Sequence, residues 1–198
     1  LCWYLENVFY EVIPKIFQKL FAGLNIDPEQ WKNYNIVRVG FWPGGDRDGN
    51  PFVTHEITQR VAHHLRRTIA RCYYRDARFL KRRLTFKGVE EIIGRVEKNI
   101  YPLAYGDGQP GYDSHETLLA DLLEARKLIV DEHRGLFLDL LDEVIMKVRI
   151  FGFHMASLDI RQDSRKHAYA WDAMLKQLAA KNKKLAAFSS LSEEDQIS

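Results

Sequence analysis

The sequence predicts a predominantly α-helical chain that contains two short strands. Apolar residues recur at spacings of three and four along most of the chain, which is typical of helices that bury one face. Two stretches depart from this pattern, at about 35–42 and 152–160, where apolar residues cluster beside glycine or polar turns. The residues between these two predicted strands are mostly predicted helix.

The composition indicates an ordinary globular protein. The 198 residues are 46% hydrophobic and 28% charged, which supports one sizeable core. The formal net charge is +2, so no overall field favours nucleic acid or an anionic membrane as a partner. No apolar run reaches the roughly 20 residues of a membrane span. Cys2 and Cys72 form no Cys-x-x-Cys motif, and they predict reduced thiols and a cytoplasmic location.

Both ends of the sequence fall inside predicted helices. Leu1 opens an apolar helical pattern that continues to about Leu20. Ser192, followed by the acidic residues 193–195, resembles the first turn of another helix. The sequence therefore predicts that residues 1–198 are a single internal segment of a longer chain.

Capping residues set the starts of the central helices. Thr54 is a good N-cap, and the helix that it begins is expected to run to about Leu84. A second helix fits Val89 to about Ile100. Ser114, at the end of a turn-rich loop, caps the next predicted helix.

Turn residues delimit the remaining helices. A break near Arg134–Gly135 separates the helix that Ser114 begins from one over Leu136–Val148. After the second strand, Ser164 begins the last helix. His154 lies between two apolar residues of the second predicted strand, and we expect it to be a buried core side chain.

The loop after the first strand is the most unusual stretch of the sequence. It reads Gly44, Gly45, Asp46, Arg47, Asp48, Gly49, Asn50 and Pro51. It lies between a strand and a long helix, where α/β enzymes carry binding loops. The same residue types favour turns, so a purely structural turn is the alternative. An EF-hand calcium loop is excluded, because Pro51 and Ile57 stand where that loop needs glycine and glutamate.

Polar residues also mark the end of the second strand. If this segment is extended, period-two alternation sends Leu158 and Ile160 to one face. Asp159 and Arg161 then share the other face. Because the carboxyl ends of barrel strands hold active sites, we expect Arg161 and the glycine-rich loop to face one pocket. The alternative is that Arg161 only forms a strand-end salt bridge with Asp159 or Asp163.

Two stretches of the sequence resemble the signature motifs of one enzyme family. Gly44–Pro51 and Leu158–Ser164 resemble signatures of phosphoenolpyruvate carboxylase, in that family's order and at about its spacing. The resemblance implies a segment of a large cytoplasmic enzyme built on a (β/α)8-type barrel with many extra helices, usually a homotetramer. It also implies carboxylation of phosphoenolpyruvate with bicarbonate to oxaloacetate and phosphate, with Mg2+ or Mn2+ as cofactor.

The resemblance also implies roles for single residues. Arg161 matches the arginine of the family's Asp-Ile-Arg-Gln stretch, which binds the substrate phosphate. A guanidinium suits this task because its planar fork pairs two phosphate oxygens and stays charged at any working pH. Asp159 and Gln162 would orient Arg161. In the glycine-rich loop, Arg47 and Asp48 would either shape the floor of the pocket or pair within the loop.

Several parts of the family's active site have no counterpart in this sequence. These are the catalytic histidine of a His-Pro-Thr motif, the catalytic lysine, the mobile basic glycine-rich loop and the two metal-binding carboxylates. The resemblance therefore implies no catalytic residue and no metal ligand within this segment. The remainder of the same chain would complete the site, and the isolated segment would be inactive.

A basic run in the first long helix supports a second interpretation. Asp76 is the only acid between Thr58 and Lys87. The arginines that share one helix face by their spacing are Arg67, Arg71, Arg75, Arg78 and Arg82. The alternative function is a helical binding module whose basic helix, over about 58–87, contacts nucleic acid or an acidic protein. We favour pairing of this face with acidic partners from missing parts of a larger enzyme, because few aromatic residues accompany the arginines.

Overall fold

The computed structural model describes residues 1–28, 30–106 and 110–179. Helices dominate and two short strands are present, as the sequence predicted, and the structure shows that the two strands pair in parallel. In chain order the elements are α1 (Cys2–Tyr4), a π-helical turn (Leu5–Phe9), α2 (Tyr10–Leu24), a 3-10 turn (Tyr34–Ile36), β1 (Gly40–Phe41), α3 (His55–Arg83), α4 (Val89–Tyr105), α5 (His115–His133), α6 (Leu138–Phe151), β2 (Ser157–Leu158) and α7 (Ser164–Ala179). The helix start predicted at Ser192 lies outside the described residues.

The chain divides into two compact units. The first consists of residues 1–41 and 59–158, and it holds most of the helices. The second consists of residues 42–58 and the described residues from Asp159 onward. The second unit therefore contains the glycine-rich loop, Arg161 and α7.

The predicted caps are confirmed. The backbone N–H of Ile57 donates to Thr54 Oγ1 at 3.5 Å, and α3 begins at the next residue after Thr54. The N–H of Thr117 donates to Ser114 Oγ at 3.3 Å at the start of α5. These side-chain acceptors satisfy donors that the first turn of a helix leaves unpaired.

α4 is longer than predicted. The sequence suggested an end near Ile100, whereas the helix continues through Pro102 to Tyr105. Buried Ile100 and Ala104 keep the apolar face in the core over this last turn. Gly106, with φ 70°, then ends the helix, and its N–H donates to the Pro102 carbonyl at 2.8 Å.

Both strands are much shorter than predicted. Of residues 35–42 only Gly40–Phe41 are strand, because the chain before them forms a 3-10 turn. Of residues 152–160 only Ser157–Leu158 are strand. Gly152, with φ 52°, ends α6, and its N–H donates to the Val148 carbonyl at 2.9 Å, so a turn occupies the first part of the expected strand.

Two predictions about side chains near β2 are wrong. His154 is exposed, because it lies in the turn that follows α6 and not in a strand. Ile160 was expected to share a face with Leu158, yet 56% of Ile160 is exposed. The reason is that β2 ends at Leu158, so the alternation of a paired strand does not continue to Ile160.

Aromatic residues form the centre of the first unit. Tyr10 and Tyr73 are fully buried or nearly so. The ring of Tyr10 stacks on Phe151 with centroids 5.5 Å apart. The hydroxyl of Tyr73 donates to the Gly152 carbonyl at 2.7 Å, which ties α3 to the end of α6 just before β2.

One lysine lies inside the first unit. Lys147 of α6 is only 4% exposed, and its Nζ contacts carboxylate oxygens of Glu11 (3.3 Å), Asp76 (3.2 Å) and Glu143 (3.0 Å). The Tyr10 ring lies 4.6 Å from the same Nζ, and the Tyr10 hydroxyl donates to Asp76 at 2.8 Å. Burial lowers the pKa of Lys147, but attraction to Asp76 and the other acids overcomes this and raises the pKa above its ordinary value. The cluster joins α2, α3 and α6.

The basic face of α3 finds acids within this chain. Arg75 contacts Glu11 at 3.0 Å, and Glu97 of α4 contacts Lys81 at 2.6 Å and Arg78 at 3.8 Å. The favoured interpretation took these acids from missing parts of a larger enzyme, whereas the acids observed here belong to α2 and α4 of the same chain. Pairing with acids from other parts of the enzyme stays a prediction. No helix within the described ranges is long and apolar enough to cross a membrane.

Candidate active site

The second unit brings the glycine-rich loop and Arg161 together. The backbone N–H of Arg47 donates to the Arg161 carbonyl at 2.8 Å, and the N–H of Arg161 donates to the Gly45 carbonyl at 3.0 Å. These bonds form a parallel bridge between Asp46 and Arg161. The two motifs that the sequence singled out are therefore direct neighbours, although they lie far apart along the chain.

A tight turn shapes the start of the loop. The Trp42 carbonyl accepts hydrogen bonds from the N–H groups of Gly45 (3.0 Å) and Asp46 (3.1 Å). Gly44 has φ 82°, a backbone conformation that residues with a Cβ rarely adopt. Glycine at this position lets the chain reverse and present its next residues to Arg161.

Two polar side chains of the loop serve its backbone. Asp46 Oδ1 accepts from the N–H of Asp48 at 3.2 Å, and Asn50 Oδ1 accepts from the N–H of Phe52 at 3.0 Å. Such bonds from a side chain to the backbone two residues on are typical of turns. One side-chain oxygen of Asp46 and one of Asn50 therefore stabilise the turn itself, as expected if the loop has a structural role.

Thr58 anchors the loop to the first turn of α3. Its hydroxyl donates to the Gly44 carbonyl at 2.7 Å and accepts from Arg47 Nη2 at 2.8 Å. The Arg47 Nε is shielded from water and has no acceptor among the described residues. Arg47 thus pairs within the loop region, one of the two roles considered for it. The sequence did not identify Thr58 as a residue that holds the loop. The only signal was its position one helical turn after the N-cap Thr54.

Replacing Thr58 by valine should loosen this loop. Valine keeps the shape but leaves Arg47 Nη2 and the Gly44 carbonyl without their partner, at a cost of about 2 kcal/mol. Hydrogen exchange of peptides covering residues 42–58, measured by mass spectrometry on the full-length protein, should accelerate roughly thirtyfold. Thr58→Ser, which retains the hydroxyl, should exchange like the unmodified protein. Equal exchange in the valine variant would show that Thr58 does not hold the loop.

The guanidinium of Arg161 is largely open to solvent. The side chain is 64% exposed, and its one ion pair with a described residue joins Nη1 to Asp46 Oδ2 at 3.4 Å. A solvent-exposed pair of this length stabilises the fold by no more than about 1 kcal/mol. Most of the donors of Arg161 therefore remain available to another anion.

The alternative interpretation, a salt bridge of Arg161 with Asp159 or Asp163, is not observed among the described residues. Asp163 instead accepts from Arg165, whose Nη2 lies 2.6 Å from Asp163 Oδ2. Hydrogen bonds from Arg165 lower the pKa of Asp163, so this carboxylate stays ionised and remains paired with Arg165. Among the described residues, the salt bridge that Arg161 does form is the long contact with Asp46.

The two residues proposed to orient Arg161 do not touch its guanidinium. Gln162 Oε1 accepts from the N–H of Asp163 at 3.0 Å. Asp159 is exposed and has no hydrogen bond or ion pair with the residues that the structure describes. Asp46 is the acid that contacts Arg161, and an orienting role for Asp159 and Gln162 stays a prediction.

The described part of the chain offers no metal centre. It holds no group of three or more histidine, cysteine, aspartate or glutamate side chains that could bind an ion. Residues that fit Mg2+ or Mn2+, which take oxygen ligands in such a group, are therefore not assembled in this part.

An open arginine fork beside a glycine-rich turn can bind a phosphate or carboxylate group. This arrangement is typical of α/β enzymes that act on anionic substrates. The backbone bonds from Gly45 and Arg47 fix the main chain of Arg161, while its side chain stays accessible.

Comparison with known proteins identifies the family. The family model described as phosphoenolpyruvate carboxylase matches residues 2–102 and 94–198. Proteins named phosphoenolpyruvate carboxylase from Shewanella halifaxensis and Acinetobacter baumannii are 33% and 28% identical over 83% and 90% of this chain. The phosphoenolpyruvate carboxylase from Roseiflexus castenholzii is 25% identical over 98% of this chain. The chain belongs to the phosphoenolpyruvate carboxylase family, as its two motifs predicted.

The chain spans about a quarter of the length of these relatives. The matches cover 22%, 23% and 26% of the Shewanella, Acinetobacter and Roseiflexus proteins. This chain therefore corresponds to only a part of the enzymes in its family. That part contains Arg161, whose side chain is largely exposed.

Proposed function

We propose that residues 1–198 are a single internal segment of a phosphoenolpyruvate carboxylase, and that Arg161 binds the phosphate of phosphoenolpyruvate in the full-length enzyme. The observation that carries this proposal is the exposed fork of Arg161, whose main chain is hydrogen-bonded on both sides to the glycine-rich loop. The full-length protein would be a cytoplasmic homotetramer built on a (β/α)8-type barrel. The isolated segment would not turn over substrate.

The reaction proposed for the full-length enzyme proceeds in two stages. An oxygen of bicarbonate attacks the phosphorus of phosphoenolpyruvate, and the bond from phosphorus to the enol oxygen breaks. This gives carboxyphosphate and the enolate of pyruvate. Carboxyphosphate then releases CO2 and inorganic phosphate, and the enolate carbon attacks CO2 to form oxaloacetate. Several negative charges meet in one site, so fixed cations are needed to stabilise them.

Arg161 suits the phosphate for two reasons. Its fork can donate two parallel hydrogen bonds to phosphate oxygens, and it keeps its charge throughout the reaction. Its present contact with Asp46 is long, so an incoming phosphate competes with a weak partner. Because the N–H of Arg47 and the carbonyl of Gly45 hold the backbone of Arg161, little ordering is left to be done on binding.

The glycine-rich loop supplies position more than charge. Asp46 keeps the guanidinium near the loop in the absence of substrate. Thr58 holds Arg47 and the Gly44 carbonyl, and so fixes the turn that carries Asp46. In this proposal Gly44, Gly45 and Gly49 let the backbone approach the substrate, since no Cβ stands in the way.

The remaining groups of the reaction would come from other parts of the parent chain. A divalent cation, Mg2+ or Mn2+, would offset negative charge on the substrates when bound, and carboxylates outside the described residues would hold it. The catalytic histidine and lysine of the family would likewise lie elsewhere. The segment contributes the phosphate-binding arginine and the loop that positions it.

A carboxylation assay on the full-length protein tests this proposal. Radiolabelled bicarbonate should enter acid-stable product only when phosphoenolpyruvate is present, with one inorganic phosphate released for each carbon fixed. Oxaloacetate should be trapped as malate by a coupled dehydrogenase. A full-length protein that fixes no carbon with phosphoenolpyruvate under these conditions contradicts the proposed function.

A further inference from the structure

One carboxylate of the second unit lies beside the proposed phosphate-binding arginine. Asp46 Oδ2 contacts Arg161 Nη1 at 3.4 Å, while Asp46 Oδ1 accepts from the N–H of Asp48 at 3.2 Å. The Asp46 side chain is only 24% exposed, against 64% for Arg161. Among the described residues, no other carboxylate comes within 4 Å of the Arg161 guanidinium. The loop thus anchors the acid, whereas most of the arginine side chain is open to solvent.

Backbone pairing keeps these two side chains together. Asp46 and Arg161 are partners in a parallel bridge, in which the N–H groups of Arg47 and Arg161 donate at 2.8 Å and 3.0 Å. Partner residues of paired extended segments place their side chains on the same face. Because its other oxygen is held by Asp48, Asp46 cannot withdraw far from Arg161 without breaking hydrogen bonds. An anion that binds the guanidinium therefore meets the Asp46 carboxylate at close range.

This carboxylate weakens the hold of Arg161 on any anion. A phosphate must either displace Asp46 from the guanidinium or share the guanidinium with it. Displacement gives up an exposed ion pair, and sharing brings two negative charges close together. In either case Asp46 lowers the affinity of Arg161 for phosphate by about five- to tenfold.

We propose that Asp46 is a positioning residue that limits the affinity of Arg161 for phosphate, so that inorganic phosphate leaves the site after the reaction. This inference rests on the proposed binding of the substrate phosphate by Arg161. The phosphate group of the substrate becomes inorganic phosphate, so the cation that receives the substrate also faces the product. An arginine without a counter-ion would hold both tightly, which slows release of the product without favouring the transition state. Asp46 offers the guanidinium a replacement partner as phosphate departs.

Inhibition of the full-length protein by inorganic phosphate tests the inference. Inhibition that competes with phosphoenolpyruvate reports on the Arg161 site, so its inhibition constant Ki measures the affinity for phosphate there. Asp46→Asn removes the charge, while the amide oxygen can still accept from the N–H of Asp48. Ki should fall about five- to tenfold in this variant. Hydrogen exchange of peptides covering residues 42–58 should match that of the unmodified protein, because the turn is retained.

Two further variants show whether Asp46 acts through Arg161. Asp172→Asn removes an exposed carboxylate of α7, in the same unit, and should change Ki less than about twofold. In the Arg161→Gln background, Asp46→Asn should also change Ki less than about twofold, because the cation that Asp46 restrains is absent. The inference is overturned if Asp46→Asn leaves Ki unchanged or raises it, or if it lowers Ki equally with and without Arg161.

The result for Arg161 separates this inference from the function on which it rests. If Arg161→Gln impairs the use of phosphoenolpyruvate but Asp46→Asn does not alter Ki, only the role of Asp46 is wrong. If Arg161→Gln leaves both kcat/KM and Ki unchanged, the proposed phosphate site is wrong, and the role of Asp46 is overturned with it.

Discussion

Replacing Arg161 by glutamine in the full-length protein should lower kcat/KM for phosphoenolpyruvate by about a hundredfold or more. A neutral amide cannot replace a cation that donates two hydrogen bonds to a phosphate. The fold should barely respond, because Arg161 is 64% exposed and has one long contact with Asp46. The thermal midpoint should therefore stay within a few degrees of the unmodified protein, so that the loss reports on substrate use and not on stability.

Arg165→Gln is the matched control for this prediction. Arg165 is also an exposed arginine close to Arg161 in sequence, but Asp163 already occupies its guanidinium. The control should keep kcat/KM within about threefold. If Arg161→Gln retains the activity of the unmodified enzyme, Arg161 does not bind the substrate phosphate. Equal losses in both variants would instead indicate a general effect of positive charge near α7.

Replacing Lys147 by methionine should destabilise the packing of α2, α3 and α6 by about 3 kcal/mol. Methionine fills similar space but leaves Glu11, Asp76 and Glu143 without their shared cation. In the full-length protein, hydrogen exchange of peptides from α3 and α6 should accelerate roughly hundredfold. Because the folded-state pKa of Lys147 is raised, this stabilisation is fully present at neutral pH and is lost only as pH rises through the raised, alkaline value.

Two further variants separate the charge effect from a packing effect. Lys127→Met removes an exposed lysine of α5 and should leave exchange nearly unchanged. Adding Asp76→Asn to Lys147→Met should restore part of the protection, because the most buried carboxylate of the cluster is then neutral and can still accept from Tyr10. A double variant that exchanges as fast as Lys147→Met alone would show that lost packing, and not the uncompensated acid, is responsible.

The helices were predictable because their signals are local. Thr54 and Ser114 cap the helices that follow them, and each cap needs only the next three residues of sequence. The turn at Arg134–Gly135 was likewise visible as a break in the apolar pattern, and both residues have positive φ. A helix closes its hydrogen bonds within four residues, so sequence windows contain most of the information that it needs.

The strands were less predictable because a strand exists only with its partner. β1 and β2 pair over two residues each, and no local signal gives the point where the partner turns away. Gly152 ended α6 and replaced the first half of the second predicted strand with a turn. The exposure of His154 follows from that turn, so one wrong boundary also misplaced a side chain.

The sequence by itself determined the family, the helix starts and the two motifs that contain Arg161 and the glycine-rich loop. Tertiary structure decided which groups pair: Asp46 with Arg161, Thr58 with Arg47, and Lys147 with three acids. Most of these partners lie too far apart in sequence for local spacing to predict the pairing. From the sequence alone, Asp159 was as plausible an ion-pair partner of Arg161 as Asp46. Packing and backbone pairing bring one acid and not another within hydrogen-bond distance, and only the folded chain fixes that choice.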